Sequence, residues 1–353
     1  MKKLLQNHWL MRACMILFWV VTIFGILYFS ETSLFTRRAK TINIFTWGDI
    51  FDTAYINLFE KKTGINVNLS YYSTNEELLT KLKATRGVGY DLIVPSDYAV
   101  GVLRQTDLLK KLDKSKMSFY QQLNPLLLHL PFDEHNDYSV PFAWEIFGIG
   151  IDKNYFGGQV PPATWGLIFD TTAMNYRIGM VNDPLEAIQF AAHYLFGVNT
   201  HTIKALTPEQ IEQVKMLLIQ QKKHVEAYVD FRPDYLLATK NCPIVVASSS
   251  YILRSMREYK NIDFIIPEEG AFITIENLAI PAVSTKEDLV YQFMNFFFEP
   301  DVINHHYDLF AFFPARLDVV PSPVSPEQFK KLSFIRPLVS EQEKNDLWIE
   351  VKS

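Results

Sequence analysis

The chain has 353 residues, of which 48% are hydrophobic and 21% are charged, and its formal net charge is −5. This length favours two domains, because a single hydrophobic core stops growing at about 250–300 residues. The composition excludes extensive disorder, and the acidic balance argues against a nucleic-acid partner, whose phosphates attract basic surfaces.

The N-terminus carries an apolar segment at residues 13–29, which follows Lys2, Lys3 and Arg12. A charged start before an apolar core is the pattern of a secretory signal and predicts export through the inner membrane. The segment is close in length to the shortest helices that span a bilayer, and no small-residue cleavage site follows it, which favours a retained anchor. Residues 1–40 are interpreted as a signal peptide or an uncleaved membrane anchor with a linker, and both alternatives stay open.

The two cysteines predict neither lipidation nor an internal disulfide. Cys14 lies near the start of the apolar segment, whereas a lipoprotein cysteine lies at the end of one. Cys242 has no second cysteine to pair with in the part of the chain after the apolar segment, so we expect no internal disulfide even in a compartment that permits one.

Short strands and helices are predicted to alternate from residue 42 onward. The elements are a strand at 42–45, a helix at 54–62, a strand at 65–71, a helix capped by Ser73 or Thr74 that carries Leu78, Leu79 and Leu82, and a strand at 91–94. Gly64 and Gly87 lie where helices commonly end. A β-α-β-α-β series of this kind predicts parallel strands joined by right-handed crossovers.

The loops after the first and third of these strands carry polar and aromatic side chains. Residues 46–49 include Trp47 and Asp49, and residues 95–98 include Ser96, Asp97 and Tyr98. Parallel α/β sheets bind ligands beyond the carboxyl ends of their strands, so both loops are predicted to open on one edge. We interpret Asp97 as a solvated or capping acid and the other four residues as candidate ligand contacts.

Four segments carry a family resemblance: residues 45–49, 90–98, 136–144 and 277–281. They resemble, in the same order, the signature segments of the spermidine/putrescine-binding proteins of bacterial polyamine importers. The resemblance implies an α/β type II periplasmic binding protein fold, with two lobes, a hinge and a ligand cleft between the lobes. It further implies that 41–143 and 275–318 form the first lobe, that 144–274 form the second, and that the C-terminal segment 319–353 packs on the second lobe.

The function implied by the resemblance is capture of a polyamine in the periplasm. The partners would be the permease subunits of an ABC importer and, indirectly, its cytoplasmic ATPase, besides the inner membrane at the N-terminus. We expect a monomer that is not an enzyme and has no cofactor, no metal site and no nucleic-acid partner.

Seven ligand-binding residues are implied by the resemblance. Aromatic walls would come from Trp47 and Tyr98, a hydroxyl from Ser96, and carboxylates from Asp49, Asp183, Glu186 and Glu276. These groups suit a polyamine, because carboxylates pair with its ammonium groups and aromatic rings attract both its charges and its methylene stem.

Two observations keep other interpretations open. Asp183, Pro184 and Glu186 also form a good helix start, with Asp183 as the N-cap. Ala247 and Thr274 occupy positions where the polyamine-binding relatives often carry Trp, so two stacking walls are missing. We consider Phe231, Tyr251 and Phe272 as replacements, and Trp144 as either hinge packing or a ligand contact.

The sequence also bears on functions other than polyamine binding. The sequence contains no Gly-x-Ser-x-Gly, His-Glu-x-x-His, P-loop or Gly-x-Gly-x-x-Gly motif, which argues against an enzyme. His305 and His306 lack a third nearby ligand, so we interpret them as a surface or core pair. The remaining alternatives are a membrane-tethered sensor or adaptor of the same fold, and a different small solute as the cargo.

Overall fold

The computed structural model describes residues 9, 12–25, 40–197, 205–229 and 231–353. The strands are β1 (Thr41–Thr46), β2 (Asn66–Tyr71), β3 (Leu92–Ile93), β4 (Ser139–Asp152), β5 (Ile178–Val181), β6 (Val225–Val229), β7 (Ile244–Ser248), β8 (Ile262–Ile265), β9 (Ala271–Ala279), β10 (Phe313–Pro314) and β11 (Leu332–Phe334). The α-helices after residue 40 are α1 (Thr53–Thr63), α2 (Asn75–Thr85), α3 (Asp97–Arg104), α4 (Gly166–Phe169), α5 (Pro184–Phe196), α6 (Pro208–Lys222), α7 (Asp234–Ala238), α8 (Ser249–Glu258), α9 (Glu287–Phe297), α10 (Pro300–Phe310), α11 (Pro326–Phe329) and α12 (Glu341–Lys352).

The predicted export segment is described only in part. Residues 12–25 are helical, and large apolar side chains there, such as Phe18 and Trp19, are exposed. Across the part of the chain that the structure describes, no helix combines the length and the apolar character needed to cross a membrane. The remainder of the segment, including 26–39, lies outside the described residues, so the choice between a cleaved signal and an anchor stays a prediction.

The strands form one mixed sheet with the order β2-β1-β3-β9-β4-β7-β5-β6. One end is parallel, since β1 pairs in parallel with both β2 and β3, which confirms the predicted β-α-β-α-β series. The other end is also parallel, because β5 pairs in parallel with β6 and β7. We call β1–β3 with α1–α3 the first wing, and β5–β7 with α5–α8 the second wing.

Two antiparallel strands, β4 and β9, connect the wings and are called the joining strands. Their register extends from Ser139 opposite Ala279 to Phe147 opposite Phe272. Beyond that point β4 pairs with β7 and β8. Because β4 and β9 belong to the sheet of both wings, any movement of one wing against the other has to bend these strands.

Each wing has its own hydrophobic core, and β4 contributes to both. Its residues Trp144 and Ile146 belong to the core that includes Ile44 and Leu92 of the first wing. Ile149 and Ile151 belong to the core of the second wing. The apolar residues of β4 are thus divided between two of the clusters that form the hydrophobic core.

The C-terminal segment contributes to both cores. Val324 and Leu332 lie in the first core, whereas Leu338, Leu347 and Val351 lie in the second. Helix α12 packs against α5 and α6. The predicted lobe boundaries at 143/144, 274/275 and 318/319 stay a prediction.

Local signals explain the elements that lead into the candidate site. Helix α1 begins after Asp52, whose carboxylate accepts from the Ala54 amide, and it ends at Gly64 with φ of 70°. Helix α2 is capped by Thr74, which accepts from the Glu77 amide. These caps satisfy backbone groups that a helix end leaves without partners, so the chain returns to β1, β2 and β3 at defined positions.

Candidate functional site

The joining strand β9 brings three predicted site residues together. Its residue Glu276 forms an isolated antiparallel bridge with Ser96, in the loop after β3. Trp47, in the loop after β1, donates from Nε1 to Oε2 of Glu276 over 2.7 Å. The two loops therefore open on one edge, as predicted, and meet at a carboxylate that is only 8% exposed.

The charge state of Glu276 depends on its surroundings. Burial raises its pKa well above the ordinary value, and the charges of Glu145 and Asp97 raise it further. Hydrogen bonds from Trp47 and Thr274 act in the opposite direction. A cation placed beside this carboxylate would favour its charged form, because opposite charge offsets the loss of hydration.

An aromatic wall stands beside Glu276. The rings of Trp47 and Tyr72 lie 4.5 Å apart between centroids at an interplanar angle of 53°. Tyr72 is buried and its hydroxyl donates to the carbonyl of Val94. The alternation of apolar residues along β2 predicts Tyr71 as the buried tyrosine, but Tyr71 is exposed. The strand ends at Tyr71, so the alternation does not extend to Tyr72 and did not identify it.

Asp97 corrects the prediction of a solvated or capping acid. The side chain is 4% exposed, and Oδ2 accepts from the amide of Ile275 over 2.8 Å. Burial raises its pKa to about 7. The physical reason is that α3 begins directly against β9, so the first residue of the helix bonds to a strand amide instead of water.

Glu145 on β4 is a further acid of this region that sequence analysis did not identify. Oε2 of Glu145 accepts from the Ser250 hydroxyl over 2.7 Å. Burial raises its pKa, while hydrogen bonds from Ser250 and Ser248 and the charge of Arg254 lower it. An acid in the interior of a largely apolar strand, directly after Trp144, was the signal that could have identified it.

The second wing contributes aromatic rings of its own. Tyr251 and Phe231 form an edge contact with centroids 5.9 Å apart, and the Arg254 guanidinium lies 5.1 Å from the Tyr251 ring centre. Burial raises the pKa of Tyr251 to about 12, with contributions from the charges of Glu145 and Asp49. Phe272, the third aromatic candidate, is fully buried in the second core and is not available as a wall.

Asp49 and Tyr98 lie at the margins of the first wing. Asp49 is exposed, has φ of 56°, and influences Tyr251 of the second wing through its charge. Tyr98 is partly buried in the first turn of α3. Burial raises its pKa, and the charge of Glu76 raises it further.

Asp183 and Glu186 occupy the start of α5, as the helix-start interpretation predicts. The Asp183 carboxylate accepts from the amides of Leu185 and Glu186 over 2.7 and 3.2 Å. Asp183 keeps an exposed surface, yet the protein around it displaces enough water to raise its pKa. Glu186, the third helical residue, is partly buried. A ligand role for either acid stays a prediction.

Tyr98 and Asp183 belong to different wings, but the same two charged residues influence their pKa values. Glu76 raises the pKa of both groups, and Lys344 lowers the pKa of both. The Lys344 side chain is 11% exposed and its Nζ lies 2.9 Å from Glu341. The charge of Lys344, in the first half of α12, therefore acts on a predicted site residue of each wing.

Two other interpretations are settled by packing. Trp144 is 1% exposed and packs against Phe313, with centroids 5.4 Å apart, which identifies it as packing on a joining strand. His305 pairs with Asp52 over 2.6 Å, and His306 accepts from the Asp52 amide over 3.1 Å. Over the described ranges, no group of three or more His, Cys, Asp or Glu side chains could hold a metal ion.

Comparison with known proteins places these features in a family. The profile of the bacterial extracellular solute-binding proteins matches residues 54–332. The spermidine/putrescine-binding periplasmic protein of Escherichia coli K12 is 30% identical over 267 residues, which cover 74% of each chain.

Solved structures agree on the fold. A putative spermidine/putrescine ABC transporter protein from Listeria monocytogenes superposes with a TM-score of 0.75 at 25% identity, covering 89% of this chain and 99% of that one. A binding protein from Agrobacterium tumefaciens B6, solved in complex with glucopine, has a TM-score of 0.68 at 15% identity and covers 89% and 100% of the two chains. The predicted α/β periplasmic binding protein fold and the resemblance to polyamine-binding proteins are confirmed, and the chain belongs to the bacterial extracellular solute-binding protein family.

Proposed function

We propose that this protein binds a polyamine, spermidine or putrescine, between its two wings and delivers it unchanged to the permease of an ABC importer. The observation that carries the proposal is the hydrogen bond of 2.7 Å between Trp47 and Glu276, which joins an aromatic ring to a buried carboxylate. Those are the two kinds of group that an alkyl ammonium ion needs. The printed names of the Escherichia coli and Listeria monocytogenes relatives support the same ligand class.

The electrostatics support a cationic ligand. Glu276, Glu145 and Asp97 have raised pKa values. None of the ion pairs found in the described residues involves these three carboxylates. Asp97 and Glu276 are buried, and a buried carboxylate without a salt-bridge partner is unfavourable, so an ammonium group from outside would lower its free energy.

The proposed ligand contacts are those implied by the family resemblance. They are Trp47, Asp49, Ser96, Tyr98, Asp183, Glu186 and Glu276. Trp47, Ser96 and Glu276 lie together, and Tyr98 and Asp183 respond to shared charges across the two wings. The proposed order is an ammonium group at Glu276 and a second one toward Asp183, with the methylene stem along the rings between them.

The proposed location is the periplasm, with residues 1–40 as the export signal or as a retained inner-membrane anchor. The apolar segment at 13–29 also supports a second candidate function, a membrane-tethered sensor or adaptor that uses the same site. Ala247 and Thr274 favour a change of cargo within the fold, since both are small where the polyamine-binding relatives often carry Trp. The relative solved with glucopine illustrates a different cargo on this fold.

Calorimetric titration of residues 40–353 tests the proposal. Spermidine, putrescine and cadaverine are compared with a neutral amino acid and a sugar, at low and at high salt. We expect saturable binding of at least one amine, with an affinity that decreases as salt screens the carboxylates. Saturation by a neutral solute without binding of any of the three amines would refute the polyamine assignment.

A further inference from the structure

The register of the joining strands places Glu145 beside Glu276. Ala143 lies opposite Glu276, and Glu145 lies opposite Thr274. Residues two apart on a strand face the same side of the sheet. Glu145 and Glu276 are therefore diagonal neighbours on one face, at a spacing that long side chains can bridge.

Thr274 leaves room between the two acids. It is the direct cross-strand partner of Glu145, and its side chain hydrogen bonds to Glu276. Thr274 is a small side chain, Glu145 keeps part of its surface exposed to solvent, and Glu276 is 8% exposed. A small cationic group can therefore approach both acids from the same side.

Glu145 is held in a defined orientation from the second wing. The Ser250 hydroxyl donates to its Oε2 over 2.7 Å, and Ser250 is itself 3.1 Å from the Ser248 hydroxyl. The hydroxyls of Ser250 and Ser248 and the Ser250 amide act as donors to Glu145, and a carboxylate with about four acceptor sites can still accept from a further donor. The nearest cation that influences it, Arg254, lies over the ring of Tyr251.

We propose that Glu145 is a further ligand-binding residue, which together with Glu276 binds one ammonium group of the ligand across the two joining strands. The proposal rests on the proposed function and deepens it, because it assigns two carboxylates on β4 and β9 to the same charge. An ammonium group has three N–H donors and so can bond to both acids at once. The two strands connect both wings. The proposed ammonium contact therefore lies on strands that both wings share.

The inference also predicts proton release. The titratable and charged groups that face Glu145 are Glu276 on β9, Tyr251 and Arg254 on α8, and, through Glu276, Asp97 on α3. Two neighbouring acids hold a shared proton more readily than a single one, and a bound ammonium group displaces it. Because the pKa values of both acids are raised, the wild-type protein should release protons on binding.

The test titrates spermidine and putrescine into wild type, Glu145→Gln, Ser250→Ala and Glu258→Gln at pH 6. Each titration is run in two buffers that differ in ionisation enthalpy, which reports protons released. Glu258 is an exposed acid on α8 and controls for the change in net charge. We expect Glu145→Gln to bind about tenfold more weakly or worse and to release fewer protons, with a smaller loss for Ser250→Ala.

The outcomes separate the two proposals. If the wild type binds an amine, and Glu145→Gln binds it with the same affinity and proton release while unfolding at the wild-type temperature, the role of Glu145 is refuted and the proposed function stands. If the wild type binds neither amine, the proposed function is lost, and the role of Glu145 with it. If Glu258→Gln loses as much amine affinity as Glu145→Gln, the loss reflects the change in net charge. That result would also refute the specific role of Glu145.

Discussion

The indole N–H of Trp47 and Oε2 of Glu276 lie 2.7 Å apart, although 229 positions separate the two residues in the chain. The bond connects the loop after β1 to the joining strand β9. It holds the indole ring beside the carboxylate and reduces the rise of the Glu276 pKa that burial causes. One contact thus holds the aromatic wall in place and opposes the effect of burial on the charge of the acid beside it.

Replacing Trp47 by Phe should weaken amine binding about tenfold, because the ring remains but a hydrogen bond to a charged acceptor is lost. The pKa of Glu276 should rise further, so less of it is charged at neutral pH. Calorimetry with spermidine checks the affinity. Trp348→Phe is the matched control, since Trp348 packs against Tyr228 in the C-terminal region. Equal affinity of Trp47→Phe and wild type would show that the bond has no role in binding.

Amine affinity should increase as the pH rises from 5 to 8. The pKa values of Glu145 and Glu276 are raised, so deprotonation of these acids extends above the usual carboxylate range. The amines stay protonated throughout, because alkyl ammonium groups titrate near pH 10. Each proton that must leave before binding changes the affinity by up to about tenfold per pH unit. Titrations across this range check the slope, and a flat or falling affinity contradicts it.

Asp97 should make the folded protein less stable as the pH rises from 4 to 7. Burial raises its pKa to about 7 in the folded state, whereas an unfolded Asp titrates near pH 4. The folded state therefore holds a proton that the unfolded state has released. The free energy of unfolding then falls by at most about 1.4 kcal/mol per pH unit from this group.

Asp97→Asn isolates that contribution. The side-chain amide oxygen of the variant can still accept from the backbone amide of Ile275, as the Asp97 carboxylate does over 2.8 Å. Urea unfolding at several pH values should give a shallower decline for the variant than for the wild type. Identical pH slopes would mean that Asp97 does not titrate in this window.

Gly148 on β4 should not tolerate a side chain. A Cβ there would lie 2.5 Å from the carbonyl oxygen of Ile265 and 2.7 Å from the ring of Phe264. Gly148→Ala should reduce the free energy of unfolding by about 1–3 kcal/mol through overpacking. Gly101→Ala is the control, because its Cβ would lie 3.7 Å from Phe132 and the residue is helical. We expect no loss there, and a loss as large as that of Gly148→Ala would contradict the steric argument.

Asp183 can be tested as a helix cap and as a ligand contact separately. Asp183→Ala should lower the free energy of unfolding by about 1 kcal/mol, while Asp183→Ser retains the cap and most of that stability. If the carboxylate binds the ligand, both variants lose amine affinity. Thermal unfolding measures the loss of stability, and calorimetry measures the loss of amine affinity. If Asp183→Ser binds the amine as tightly as the wild type, Asp183 acts only as a helix cap.

Much of the first wing was predictable because its signals are local. Alternating apolar residues predicted β2, and a glycine at the C-terminus with left-handed backbone marked the end of α1 at Gly64. The loops with Trp47 and Ser96 followed from the rule that parallel strands share a carboxyl edge. Tyr72 escaped the same reasoning, since alternation assigns a face only while the strand continues, and β2 ends at Tyr71.

The sequence by itself determined the α/β class, the parallel series of the first wing and the composition of the loops at its edge, because hydrophobic period and helix caps act between residues close in the chain. Only the tertiary structure decided that Asp97 is buried, that Phe272 lies in the core and that Glu145 neighbours Glu276. The burial of Asp97 depends on the packing of α3 against β9, and the neighbourhood of Glu145 and Glu276 depends on the register between β4 and β9. That register is decided by the packing of two distant segments against both cores, which leaves no local mark in either one.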